Sequence, residues 1–251
     1  MVKVKLEKDQ YVGMTETGDP AFNLDIFDRL YKANIIITKR LTDKLIDKLV
    51  ENRDKIILHC TVTGFGQTKI EPMVPDKETT FKKIVQLIKK GFPINQIVLR
   101  VDPVIPTQKG INTAISVIEL FKDLGIKRVR ISFLDMYKHT KERFSKNDIP
   151  LPYNSFHASL GIRKYAMCFF KDLADKYNFD LEVCGEPDIE SIPCLSQKDI
   201  DILGLNNKIT LIGSAEQRSS CGCAGNKIQL IKGGFTQKCD NGCLYCYIKD
   251  K

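Results

Sequence analysis

No apolar run in this 251-residue chain approaches the roughly 18 residues that cross a bilayer, so no membrane-spanning helix and no membrane partner are expected. The opening "MVKVKLEKDQ" lacks the apolar centre of a secretory signal, which makes a cytoplasmic location the expectation. No G-x-G-x-x-G follows the first β-rich stretch, which argues against a dinucleotide-binding sheet. The three histidines, His59, His139 and His157, share no ligand-like spacing. His59 alternates with the apolar residues of its strand and is expected on the outer face. No long Lys/Arg block marks a nucleic-acid site. The net charge of +8 suits a polyanionic partner, yet a composition rich in Lys, Ile and Asn gives the same surplus.

Cysteine, by contrast, is abundant, at nine residues. In a reducing compartment such cysteines serve as metal ligands or catalytic groups rather than disulfides. Cys60 lies inside a strand pattern and Cys168 on the apolar side of a helical pattern; both are expected to be small buried hydrophobes. The other seven divide into Cys184, Cys194, Cys221 and Cys223, and the closely spaced Cys239, Cys243 and Cys246. Four thiolates complete the coordination of a 4Fe-4S cluster or of a zinc ion, and the spacing leaves both open. Three leave one iron of a cubane free of protein. Zinc knuckles usually show C-x2-C pairs, and this chain has only one, so residues 239–246 are read as an iron–sulfur loop. Gly242 inside it lets the backbone pass closely.

Along the chain, short β-rich runs alternate with amphipathic helical stretches. "YVGMTETGDP", ending in turn residues, reads as the first strand, and "NIIITK", "KIILHCTVTGFG", "QIVLRVDPVIP", "RVRISFLDM" and "DLEVCGEP" read as strands after it. "NLDIFDRLYKA", "LTDKLIDKLVENRD" with Thr42 as cap, "KETTFKKIVQLIKKG", "INTAISVIELFKDLG" and "HASLGIRKYAMCFFKDLADKYN" read as helices. Six such repeats without a linker favour an α/β fold, a (β/α) barrel, complete or partial, over residues 1–186. Residues 187–251 form a loop-dominated, Cys-rich extension packed on it, with "SQKDIDILGL" as a short helix and "KITLIG" as a short strand. Polar residues recur at strand C-terminal ends: Thr15, Glu16, Thr17 and Asp19, then Thr61 and Thr63, Arg100 and Asp102, Ser132 and Asp135, and Glu186. In a barrel all would point at one face, where active sites sit.

The stretch "KCDNGCLYCY" resembles the C-x3-C-x-aromatic-C signature of radical S-adenosylmethionine (SAM) enzymes, matched by Cys239, Cys243, Tyr245 and Cys246. "DPAF", "TVTGFG", "RVDPVI", "ISFLDMY", Cys184 with Cys194, "RSSCGC" and "CDNGCLYCY" extend the resemblance over nearly the whole chain to the family called domain of unknown function 1848. That family is similar to rearranged radical SAM barrels of the spore photoproduct lyase type. The resemblance implies a 4Fe-4S cluster on the three cysteines, whose fourth iron chelates SAM and whose electron yields a 5′-deoxyadenosyl radical that abstracts hydrogen. It implies a flavodoxin or ferredoxin as reductant. It also implies a nucleic-acid base or nucleotide as substrate, as in DNA modification or repair. Gly18 and Asp19 match the Gly-Glu pair that meets the SAM amine, with Asp replacing Glu. Arg100 is placed to pair with the SAM carboxylate or with Asp102, while Ser132, Asp135 and Glu186 are ribose or substrate candidates. In the usual order the cysteine motif follows the first strand. Here it comes last, as a circular permutation would leave it.

Two other readings compete. One is a non-catalytic protein in which iron–sulfur or zinc sites stabilise the tail and a basic face holds nucleic acid. The other is a barrel hydrolase or lyase using Glu16, Asp19, Asp102 and Asp135 on a divalent metal, which leaves seven cysteines without a role.

Overall fold

The computed structural model describes residues 7–214, 220–233 and 239–249. Seven strands form one sheet: β1 (Val12–Met14), β2 (Ala33–Thr38), β3 (Ile56–Thr61), β4 (Ile97–Val104), β5 (Arg128–Phe133), β6 (Asp180–Val183) and β7 (Lys227–Gln229). All pairs are parallel, in the order β6-β5-β4-β3-β2-β1-β7. Apart from β7, spatial order follows chain order and never reverses. Right-handed crossovers then carry the connecting helices to the same face. Accordingly α1 (Asp43–Glu51), α2 (Lys77–Lys89), α3 (Gln108–Phe121) and α5 (Leu160–Tyr177) share one core. Leu45, Ile84, Val117 and Phe170 meet Ile36, Leu58, Leu99 and Ile131 of the strands there.

The opposite face of the sheet is covered by the late segment of the chain. Met14, Ile35, Ile57 and Val98 pack against Leu195, Ile200, Ile209 and Ala224. Ile200 lies on the short helix α6 (Gln197–Ile202), which follows α4 (Lys138–Lys146) and α5 in the chain. Burial on both faces explains why the strands read as near-continuous apolar runs.

The expected barrel does not close. The sheet is open, with β6 and β7 as its edges. Between those strands the chain covers the opposite face and adds no further strand among the described residues. β7, from the Cys-rich segment, belongs to the same sheet and pairs with β1 through Val12–Lys227 and Met14–Gln229. "KITLIG" is not a strand: Ile209 closes a turn on Leu205 O and docks into the opposite-face core. "NLDIFDRLYKA" forms 3₁₀ turns over Leu24–Arg29 instead of an α-helix, and no side chain of Asn23 caps them. Cys168 is exposed on α5, so it is not the buried hydrophobe expected, whereas Cys60 is fully buried. Among the described residues no helix is long and apolar enough to cross a membrane.

Thr42 caps α1, its side chain accepting the Leu45 amide at 3.2 Å. Thr42→Ala is expected to cost about 1 kcal/mol, read as a lower urea midpoint at unchanged slope.

Candidate functional site

A cavity of about 560 Å³ opens at the C-terminal ends of the strands. It brings together residues far apart in the chain. Thr15, Glu16, Gly18, Asp19, Thr61, Arg100, Asp102, Ser132, Asp135 and Tyr245 all line it, and so do Cys184, Cys194, Cys221, Cys223, Cys239, Cys243 and Cys246. Parallel strands explain the convergence, since every β-strand ends at the same side of the sheet. Thr17, Thr63 and Glu186 stand apart, Thr63 donating to Glu71. Thr17 bonds Gln229 at 3.4 Å, and Glu186 lines a neighbouring cleft of about 640 Å³ with Ser191, Ser220 and Cys221.

The terminal loop is tied over the strand ends from several directions. The Leu244 amide donates to Ile70 O at 2.9 Å, Asn241 Nδ2 donates to Asp19 Oδ2 at 2.8 Å, and Arg143 Nη1 donates to Cys246 O at 2.5 Å. Tyr247 OH donates to Glu16 O at 2.5 Å. Gly242 takes the left-handed backbone, φ 67°, that turns the loop beside Pro72.

Several predicted site residues are engaged by the protein itself. The Asp19 carboxylate accepts four hydrogen bonds, from the Ala21 and Lys39 amides, Thr38 Oγ1 and Asn241 Nδ2. Glu16 accepts from Lys227 Nζ at 2.8 Å and from Gln229 Nε2 at 2.7 Å. Of the two roles open to Arg100, the structure shows the pairing with Asp102: Nε donates to Oδ2 at 2.9 Å, while Ser132 donates to the other oxygen. Asp135 holds His157 Nδ1 at 2.8 Å.

Two residues absent from the sequence expectations, and one expected elsewhere, shape this region. Lys39, just past β2, lines the cavity and donates to Glu71 Oε1 at 3.0 Å and to Tyr245 OH at 2.7 Å. Burial disfavours its charge, but Glu71 and then Cys243 outweigh that and hold the ammonium above its usual range. Its place at a strand end was a usable signal. Glu71 sits in a long loop and carried none. His59 corrects an expectation: it shares its strand face with Ile57, on the side opposite the helices, and is 0% exposed. Strand alternation identifies the two faces but not which one the helices cover.

Burial pushes the Cys243 thiol up to about 12; Lys39 opposes the rise, and Glu71, Cys239 and Cys246 add to it. Cys239 is raised as well, first by burial. All nine cysteines are free. Buried thiols that resist ionising beside one another fit a polycationic group, which removes that penalty by binding the thiolates. Among the described residues, no group of three or more His, Cys, Asp or Glu side chains could hold a metal ion as they are placed.

Glu186 accepts the Phe133 amide at 2.7 Å and Arg163 Nη1 at 3.1 Å. Burial pushes its carboxyl from 4.5 up to about 7, against the Phe133 amide and with help from Asp135. The folded state therefore holds this proton where the unfolded state has lost it. Stability is expected to fall as pH rises from 4.5 through about 7, and Glu186→Gln should flatten that slope in urea titrations.

Comparison with solved structures finds partial likenesses. One is a lysine/ornithine decarboxylase from Vibrio vulnificus complexed with cadaverine, 14% identical with a TM-score of 0.34; the match covers 61% of this chain and 39% of that one. Another is Yersinia pestis DHPS with a pterine-sulfa conjugate, 8% identical with a TM-score of 0.24, covering 82% of this chain and 98% of that one. Comparison with curated proteins finds no match. The family model described as domain of unknown function (DUF1848) matches residues 31–248, and the chain belongs to that family.

Proposed function

We propose that this chain is a radical SAM enzyme in which Cys239, Cys243 and Cys246 hold a 4Fe-4S cluster. The observation that supports it is the cavity the three motif cysteines share with strand-end residues of β1, β4 and β5. The bound cluster and SAM supply hydrogen-atom abstraction from a substrate. The chain's own residues orient and enclose. Asp19 and Arg143 hold the cysteine loop in place, and Lys39, anchored by Glu71, puts a fixed positive charge beside Cys243. The unbroken strand order, with the last strand beside the first, supports a permuted, partial (β/α) barrel. A second metal centre, a 4Fe-4S cluster or zinc, falls to Cys184, Cys194, Cys221 and Cys223. The net charge of +8 supports a nucleic-acid base or nucleotide as substrate, with a flavodoxin or ferredoxin as electron donor.

The test is anaerobic reconstitution with iron and sulfide, followed by SAM and dithionite. Formation of 5′-deoxyadenosine is the expected result, and its absence from an iron-loaded protein overturns the proposal. That negative outcome would favour a non-catalytic, metal-stabilised nucleic-acid-binding protein, a reading supported by the internal engagement of Asp19 and Glu16.

A further inference from the structure

Cys184, Cys194, Cys221 and Cys223 meet where the sheet fails to close. Cys184 directly follows β6, one open edge, and Cys221 and Cys223 precede β7, the other. Cys194 returns alongside β6, where the Ile192 amide donates to Val183 O at 2.7 Å. Ser220 crosses the same gap and donates to Gly185 O at 2.7 Å.

Two of these thiols touch. Cys184 Sγ lies 3.2 Å from Cys194 Sγ, and the Cys194 amide donates to Cys223 Sγ at 3.2 Å. Cys223 is also within side-chain hydrogen-bonding reach of Cys194 and Cys221. Cys239, Cys243 and Cys246 act on one another through charge, and the Cys246 amide donates to Cys243 O at 3.2 Å.

Buried donors without acceptors face the same place. His59 and Arg130 are both 0% exposed; neither ring nitrogen of His59 has a partner, nor has Arg130 Nη1. Cys194 acts electrostatically on both residues, and Arg100 Nη1 donates to Cys194 Sγ at 3.4 Å. Orphaned buried donors are rare in folded proteins and call for an acceptor.

We propose that these four thiols bind one zinc ion as a closed site that clasps β6 to β7. The inference rests on the reading that the four thiols hold metal; it does not depend on SAM chemistry at the terminal three. Size selects the ion. Thiolates bound to zinc at about 2.3 Å stand about 3.8 Å apart, so Cys184 and Cys194, at 3.2 Å, need spread only by roughly half an ångström. A cubane core of iron and sulfide needs its thiolates set around a larger body. Among the described residues, no three His, Cys, Asp or Glu side chains could hold a metal ion where they stand, so binding requires the four thiols to shift around it. A zinc ion with four thiolates is net negative, and its sulfurs can accept from Arg130 Nη1 and from the one N–H of the neutral His59 ring. With four protein ligands no position stays open, and zinc has no redox chemistry, so the site holds structure.

The test uses the full chain, purified anaerobically, beside a variant carrying Cys239→Ala, Cys243→Ala and Cys246→Ala. Both are analysed for zinc, iron and acid-labile sulfide. About one zinc per chain is expected in each, with no sulfide left in the variant. Cys194→Ser should lose the zinc. Should that variant fail to fold, cobalt(II) exchange into the wild type reads the same site, and strong thiolate-to-cobalt charge-transfer absorption is expected. His59→Leu should weaken metal binding about 10- to 100-fold. Iron with matching sulfide retained in the triple variant would overturn zinc and leave a metal centre standing. A metal-free site with Cys184 and Cys194 joined as a disulfide would overturn both. Neither outcome bears on 5′-deoxyadenosine formation by the wild type.

Discussion

Cys243→Ala is expected to remove 5′-deoxyadenosine formation from the reconstituted protein, by at least about a thousandfold, the scale on which loss of one essential group acts. Cys243 is the most constrained of the terminal three. It is 6% exposed, packs among Phe65, Leu134 and Phe144, and faces the Lys39 charge. Alanine removes a thiolate and adds no bulk, so the loop ties at Ile70 and Arg143 survive. Iron content should fall together with activity, while the far-ultraviolet circular dichroism stays that of the wild type. Cys168→Ala supplies the contrast: that thiol is exposed on α5, away from the cavity, and its loss should change neither iron nor product. Equal turnover by wild type and Cys243→Ala would exclude the terminal loop as the seat of the chemistry.

Glu182→Leu is expected to cause the largest loss of stability. Glu182 on β6 accepts from Arg128 Nε at 2.7 Å and from Arg130 Nε at 2.9 Å, and Arg128 Nη1 donates to Asp199 on α6 at 2.8 Å. All four residues are 3% exposed or less. Leucine leaves Arg130 without its carboxylate in a dry interior, at a cost of about 3–5 kcal/mol. For a chain of this size that lowers Tm by roughly 6–20 °C, measurable by calorimetry. Burial works against the Glu182 charge, yet Arg130 and Arg128 hold its carboxyl below the ordinary 4.5. Its contribution is therefore present above that pH and lost as acid titrates the folded group. A variant as stable as wild type would show that the network only reproduces what water supplies to the unfolded chain. The network also joins β6 to α6, so the segment covering the opposite face of the sheet should loosen first.

Much of the scaffold could be read locally. The 3.6-residue periodicity of α2, α3 and α5 and the cap at Thr42 need only neighbours in the chain, and so did the apolar runs of β2 to β5. Elements whose stability comes from distant partners were not legible. β7 is three residues long and is a strand because β1 offers it a parallel edge. The Lys39–Glu71–Tyr245 network joins a strand end, a loop and the terminal segment. The exposure of Cys168 depends on how far α5 is rolled against its neighbours, which periodicity bounds only loosely.

Composition and spacing alone were sufficient for an α/β chain with parallel strands, because those properties arise from short-range sterics and alternation. Folding in three dimensions settled the rest: that the sheet stays open, that His59 turns away from the helices, and that all seven late cysteines share one cavity. The physical reason is that closure, facing and convergence depend on which surfaces bury one another across a hundred residues or more, and no local pattern carries that information.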